Sequence, residues 1–195
     1  MITNNPKYTI GYLNSLSNLE TNVCFLYQSF ASRADAPFIS GLLQGIAQDS
    51  LKHAKLLKAI TGSSTYSEEK ANEYAKKLVR AWTATNSVYS EKMTGDKLTA
   101  VQSLELTQKL LELEDEFCAE YSMFLKEDAL EVLARETSGY YSITKGEIKS
   151  VFSGIINDKK HHKKMLAIVR QLLGQNKDEG GNKTTTVKYQ NPSSW

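Results

Sequence analysis

The placement of the three prolines is the feature that most restricts how this chain folds. Pro6, Pro37 and Pro192 all lie outside long stretches in which apolar residues recur every three or four positions. A proline inside a helix removes a backbone hydrogen bond and clashes with the preceding turn, so stretches without proline can form long helices. The pattern predicts an all-α protein.

Two helices are predicted in the first third of the chain, over residues 8–33 and 36–60, joined by a short turn. Within that turn, Asp35 is placed to cap the second helix and Pro37 to lie in its first turn. Gly62 is predicted to end the second helix, because glycine readily adopts the left-handed backbone conformation found after helices.

The middle of the chain is predicted to contain an extra helix and then a third long helix. Residues from about 67 to 92 open with a capping-box pattern and carry one apolar face, which indicates a crossover helix. Asp96 is predicted to cap a helix that runs to about residue 126. A short helix over 127–136 follows or continues it.

The last predicted helix covers about residues 145–173. Thr144 and Glu147 form a capping-box pattern at its start, and Gly174 is predicted to close it. Residues 175–195 are polar and rich in Gly, Asn and Thr, so they are predicted to be a flexible tail. The expected organisation is one helical domain over 1–174, with helix pairs at 8–60 and 97–173 and a crossover at 61–96.

Composition argues against several classes of protein. Lys and Arg number 24 against 22 Asp and Glu, so neither nucleic acid nor an anionic membrane is expected as a partner. No apolar run is long enough to span a membrane and no signal-peptide pattern is visible, so a soluble, cytoplasmic protein is expected. One local basic run is interpreted as a solvated helix face: Lys159, Lys160, Lys163 and Lys164.

The two cysteines, Cys24 and Cys118, are too few for a disulfide framework. If the two halves of the chain are related by a two-fold axis, these cysteines lie about 12 Å apart along the helix axis at 1.5 Å per residue. That separation is too large for a disulfide, so both are expected to be free core residues.

The chain contains an internal repeat of a helix pair. Residues 19–30 match residues 113–124 at five positions without a gap, and residues 45–57 match 154–166 at six. Average composition predicts about one identity in such a window, at roughly 6 per cent per position. Both matches come in the same order along the chain, which indicates a duplicated pair of helices.

Helical spacing predicts that polar side chains interrupt the apolar seam of each repeated helix. The first and third long helices each carry one Glu in the seam, and the second and fourth each carry an Asp and a His four residues apart. Burying ionised carboxylates is costly unless they are paired or bound to metal, and carboxylate with imidazole suits iron or manganese. The candidate metal ligands are Glu20, Asp49, His53, Glu114, Asp158 and His162.

This arrangement resembles the ferritin-like superfamily, and within it the rubrerythrin branch. The resemblance covers about residues 8–60 and 97–173, and it implies a ferritin-like four-helix bundle with a long crossover that contains an extra helix. In that family the second and fourth helices carry Glu-x-x-His, and the Glu bridges two irons. Here the positions three residues before His53 and His162 are Ser50 and Lys159, so both bridging glutamates are missing.

Three interpretations therefore stay open. In the first, Asp49 and Asp158 have become ligands and six side chains bind one or two ions. In the second, Glu20, His53, Glu114 and His162 bind a single ion while the Asp residues orient the imidazoles. In the third, the site is metal-free and its hydrogen-bonded network is a relic, with Lys159 replacing one metal charge.

The interpretations imply two classes of function. With iron or manganese bound, the resemblance implies redox chemistry with dioxygen or peroxide, or oxidation of ferrous iron. The chain has no Cys-x-x-Cys motif, so electrons would come from a separate donor protein. Without metal, the bundle is an interaction or scaffold protein. A homodimer is expected in either case.

Overall fold

The computed structural model describes residues 6–62, 97–138 and 142–178, and every regular element in these ranges is a helix. The helices are α1 (Pro6–Arg33), α2 (Pro37–Thr61), α3 (Ala100–Met123), α4 (Glu127–Thr137) and α5 (Lys145–Asp178). The prediction of an all-α protein is confirmed. The predicted crossover helix at 67–92 lies outside the described residues. Of the tail predicted over 175–195, residues 175–178 are helical, which contradicts the prediction there, and the rest lies outside the described residues.

Helix α2 begins and ends at residues that carry clear local signals. Pro37 occupies its first turn, where the missing N–H costs nothing, and Gly62 closes it with a φ of 66°. The predicted cap at Asp35 is wrong, because Ala36 is the N-cap residue and makes no side-chain bond. The Asp35 carboxylate instead accepts a hydrogen bond from Lys97 at 3.0 Å.

Helix α3 begins at Ala100, later than predicted. Thr99 is its N-cap, and it exchanges reciprocal hydrogen bonds with Gln102 in a capping box. The predicted cap at Asp96 is wrong, because the helix begins four residues later and Thr99 is its N-cap residue. The helix ends at Met123, and α4 follows as a separate short helix, as the sequence allowed.

Helix α5 opens as predicted and ends later than predicted. The backbone N–H of Thr144 donates to Glu147 Oε2 at 2.7 Å, and the N–H of Glu147 donates to Thr144 Oγ1 at 3.2 Å. The helix then continues through Gly174 to Asp178. Glycine permits a left-handed helix end but does not impose one, so the predicted end at Gly174 is wrong.

The long helices pack around one apolar core. α1 lies along α2, α3 lies along α5, and α2 contacts α5, while α4 contacts α1, α2 and α5. The fully buried apolar side chains come from both halves of the repeat and include Leu13, Leu16, Leu43, Leu110, Phe117, Phe152 and Leu166. Among the described helices, none combines the length and apolar character needed to cross a membrane.

Candidate functional site: a buried carboxylate, imidazole and lysine cluster

Two glutamates interrupt the apolar core, as predicted. Glu20 on α1 and Glu114 on α3 are both completely buried. Each accepts a hydrogen bond from a tyrosine on the other helix: Tyr121 donates to Glu20 at 2.7 Å and Tyr27 donates to Glu114 at 2.6 Å. The bonds cross between the two halves of the repeat and give the site an approximate two-fold symmetry.

Lys159 on α5 breaks this symmetry. Its side chain is fully buried, and its ammonium lies 2.9 Å from Glu20 Oε2 and 3.4 Å from Glu114 Oε2. It also lies 4.2 Å from the centre of the Phe117 ring, where the negative face of the aromatic system adds attraction. The interpretation of Lys159 as part of a solvated basic face is wrong, because this residue points inward with His162, three positions later.

The two imidazoles connect the buried carboxylates to the protein surface. His53 and His162 are fully buried. Nδ1 of His53 lies 3.5 Å from Glu20, and Nδ1 of His162 lies 3.5 Å from Glu114. The opposite ring nitrogens lie close to the aspartates: His53 Nε2 is 3.0 Å from Asp158, and His162 Nε2 is 3.2 Å from Asp49. Each imidazole therefore lies between two carboxylates.

Asp49 and Asp158 occupy the outer edge of the cluster and not its centre. Their side chains are 35% and 36% exposed, whereas the seam pattern predicted that both would enter the core. Lys52 joins them across the α2–α5 contact, with its ammonium 2.6 Å from Asp49 and 2.8 Å from Asp158. On these two helices the residues that face the core are Ser50 and Lys159, each one position later than the aspartate.

Ion pairing keeps Glu20, Glu114 and Lys159 charged although all three are buried. Burial alone would raise the pKa of Glu20, but Lys159 and His53 lower it to about 2. Burial likewise opposes ionisation of Glu114, yet Lys159 and His162 hold its pKa below the ordinary value. Burial on its own would lower the pKa of Lys159, but Glu114 and Glu20 raise it. The centre is thus a buried ammonium between two carboxylates.

The tyrosines stay neutral in this environment. Burial and the neighbouring carboxylates raise the pKa of Tyr27 and Tyr121 well above the ordinary value. Each hydroxyl acts as a donor to an ionised glutamate, and such charge-assisted bonds are stronger than neutral ones. Both tyrosines are therefore buried core aromatics whose hydroxyl groups are satisfied by hydrogen bonds.

A few buried polar atoms in the cluster lack a hydrogen-bond partner. Within the described residues, four buried side-chain atoms make no hydrogen bond: Ser50 Oγ, His53 Nδ1, Glu114 Oε2 and His162 Nδ1. All four belong to residues of the cluster. The imidazole nitrogens lie within ion-pair distance of carboxylates but without hydrogen-bond geometry. These four atoms can therefore form a bond to a further group.

The metal ions that the resemblance implies do not fit this arrangement as it stands. A divalent ion between Glu20 and Glu114 would meet the Lys159 ammonium, which already occupies the space close to both carboxylates. In the part of the chain that the structure describes, no group of three or more His, Cys, Asp or Glu side chains is arranged to hold a metal ion. The six-ligand metal site stays a prediction from sequence.

Both cysteines are free, as predicted, with Cys24 buried and Cys118 partly buried. Burial and the nearby glutamates Glu20 and Glu114 raise the pKa of these thiols. They lie next to the cluster but make none of its contacts. A raised thiol pKa lowers the fraction of thiolate, the form that acts as nucleophile.

Comparison with known proteins adds no family assignment. No protein family, no curated protein and no solved structure in the comparisons matches this chain.

Proposed function

We propose that this chain is a ferritin-like four-helix bundle in which a lysine ammonium takes the place of metal, and that it serves as a non-catalytic interaction or scaffold protein. The support comes from one observation. The Lys159 ammonium lies within 2.9 and 3.4 Å of the two buried glutamates that would otherwise bind the ions.

Charge and burial explain why this arrangement favours a structural role. Glu20, Glu114, Lys159 and both imidazoles have no exposed surface. A redox centre of this family needs an open coordination position that an oxidant can reach. A side-chain ammonium has no such position and no accessible redox chemistry. It offsets one of the two buried negative charges and links α5 to α1 and α3 through ion pairs.

A second candidate is the metal-dependent redox function. It is favoured by the atoms without hydrogen bonds, because a carboxylate oxygen and two imidazole nitrogens are typical ligands of iron and manganese. Glu20 and Glu114 with His53 and His162 would hold the ion, while Asp49 and Asp158 orient the imidazoles. The Lys159 side chain would have to leave the centre first, and a separate protein would supply electrons.

Elemental analysis of the purified full-length chain, before and after anaerobic exposure to ferrous iron or manganese, separates the two candidates. The metal-free proposal expects neither metal above background in the native protein. Its matched control is the double variant Glu20→Ala/Glu114→Ala, which should give the same reading. One or two ions per chain in the native protein, lost in the double variant, would overturn the proposal and establish the redox candidate.

A further inference from the structure

The charges of this chain are strongly segregated between its helices, although the whole chain carries a formal net charge of only +2. α2 and α5 together carry eleven Lys or Arg and four Asp or Glu. α1, α3 and α4 together carry four Lys or Arg and eleven Asp or Glu. Three of the eleven basic residues are paired with carboxylates of the other helices: Lys159 in the core, and Lys163 and Lys145 at the surface. The other eight belong to α2 and α5, which contact each other.

Helices α2 and α5 run antiparallel, because Asp49 lies opposite His162 while His53 lies opposite Asp158. Lys52 lies at the centre of the contact, where it binds both aspartates. One ammonium offsets one of the two carboxylate charges, so the centre of the contact keeps about one negative charge between the surrounding lysines.

The lysines on either side of this centre are exposed to solvent. Lys55 and Lys164 occupy equivalent positions in the internal repeat, and both are exposed. Lys160 and His161 are exposed beside Lys164. Among the described residues, no carboxylate forms an ion pair with Lys55, Lys160 or Lys164. We call these four residues, with Lys52 at their centre, the basic face.

Apolar side chains accompany the charges on the same two helices. Six large apolar side chains are exposed in the described residues, and four of them belong to α2 and α5: Phe38, Leu51, Leu56 and Ile168. Exposed apolar groups interspersed with cations are typical of a surface that binds an amphipathic helix, since the apolar contacts add affinity and the charges add specificity.

We infer that the basic face binds an acidic amphipathic helix of a partner protein. The inference rests on the proposed interaction function and names the surface and the partner chemistry. From the antiparallel register, Lys164 lies opposite about residue 47, so Lys55 and Lys164 are about 12 Å apart along the helix axes. A partner helix presents two carboxylates at this spacing when they are about eight residues apart, slightly more than two turns.

Nucleic acid and anionic membranes match the basic face less well than an acidic helix does. A phosphodiester backbone or an anionic membrane surface is continuously negative, and it would meet the carboxylates of Asp49 and Asp158 at the centre of the face. A helix with separated acidic residues can place apolar or neutral side chains over that centre. The observations therefore favour a protein partner, and nucleic acid and membrane become outcomes of the test.

The test is fluorescence anisotropy of a labelled synthetic helix, 20 residues long, with two glutamates eight residues apart on a leucine-containing face. We expect saturable binding to the full-length chain that weakens as ionic strength rises. Charge reversal in Lys55→Glu/Lys164→Glu should weaken binding about tenfold or more. The matched control Lys126→Glu/Arg135→Glu makes the same change in net charge at exposed positions elsewhere and should change binding less than about twofold.

Three results would overturn the inference. The first is equal binding of the Lys55→Glu/Lys164→Glu variant and the native chain, with both folded by circular dichroism. The second is equal binding of a peptide of the same composition with its glutamates on opposite faces. The third is binding of duplex DNA or of phosphatidylglycerol vesicles without binding of the peptide. Metal analysis of the same samples tests the proposed metal-free function separately, because peptide binding does not depend on the metal content of the core.

Discussion

The ammonium of Lys159 and a carboxylate oxygen of Glu20 lie 2.9 Å apart, and neither side chain is exposed to solvent. The two residues are on different helices and belong to different halves of the internal repeat. A buried ion pair gives little net stability compared with an apolar pair of the same shape, but loss of one member leaves a buried charge without compensation. Removing one member should therefore cost much more stability than the intact pair contributes.

Replacing the lysine should be strongly destabilising. In Lys159→Met the carboxylates of Glu20 and Glu114 stay buried while the ammonium is lost, so the free energy of unfolding should fall by about 3–5 kcal/mol. Urea denaturation followed by circular dichroism measures this change. Lys160→Met is the matched control, because Lys160 is adjacent and exposed, and it should change stability by less than about 0.5 kcal/mol. Equal stability of the two variants would contradict the buried position of Lys159.

Acid should destabilise the protein through the same pair. The folded-state pKa of Glu20 is lowered from 4.5 to about 2, so its contribution to stability is complete above about pH 4.5 and is lost as the pH falls toward 2. The free energy of unfolding should therefore decrease over this range. Glu20→Gln has no carboxyl group to titrate and should show a shallower decrease between pH 5 and pH 2. The same slope in native protein and variant would show that Glu20 is not held ionised.

The sequence was sufficient to predict the buried glutamates and histidines of the cluster. The 3-4 spacing of apolar positions placed Glu20 and Glu114 in the core, and the structure buries both completely. The same spacing placed His53 and His162 there, which is also confirmed. These positions could be predicted because each long helix has a continuous apolar seam that fixes which face is buried.

The position of Lys159 could not be predicted in the same way. It lies in a run of basic residues, and lysine is almost never fully buried unless it is paired. Its pairing partners, Glu20 and Glu114, are on two other helices, so the local sequence does not reveal them. One available signal was its position three residues before His162, which places it on the same helix face. The cap at Thr99 was missed for a different reason, because its capping box with Gln102 is local and the Thr-x-x-Gln pattern is present in the sequence.

The two tyrosine hydroxyls should contribute measurably to stability. Tyr121→Phe removes the donor to Glu20 and leaves a buried carboxylate oxygen without that bond, which should cost about 1.5–3 kcal/mol. Tyr27→Phe removes the equivalent bond to Glu114 and should cost a similar amount. A double-mutant cycle of Tyr121→Phe with Glu20→Gln, measured by urea denaturation, should give a coupling energy of at least about 0.5 kcal/mol. Additive losses would show that the two side chains do not interact.

Restoring the two missing glutamates should convert the cluster into a metal site. The double variant Ser50→Glu/Lys159→Glu creates Glu-x-x-His in both halves and removes the ammonium, so it should take up manganese under anaerobic conditions, to about two ions per chain. Titration followed by gel filtration and elemental analysis measures the uptake. Ser50→Glu/Lys160→Glu adds the same number of carboxylates but keeps Lys159, and it should bind less than about a tenth as much. Equal uptake by both variants would show that the Lys159 ammonium does not exclude metal from the cluster.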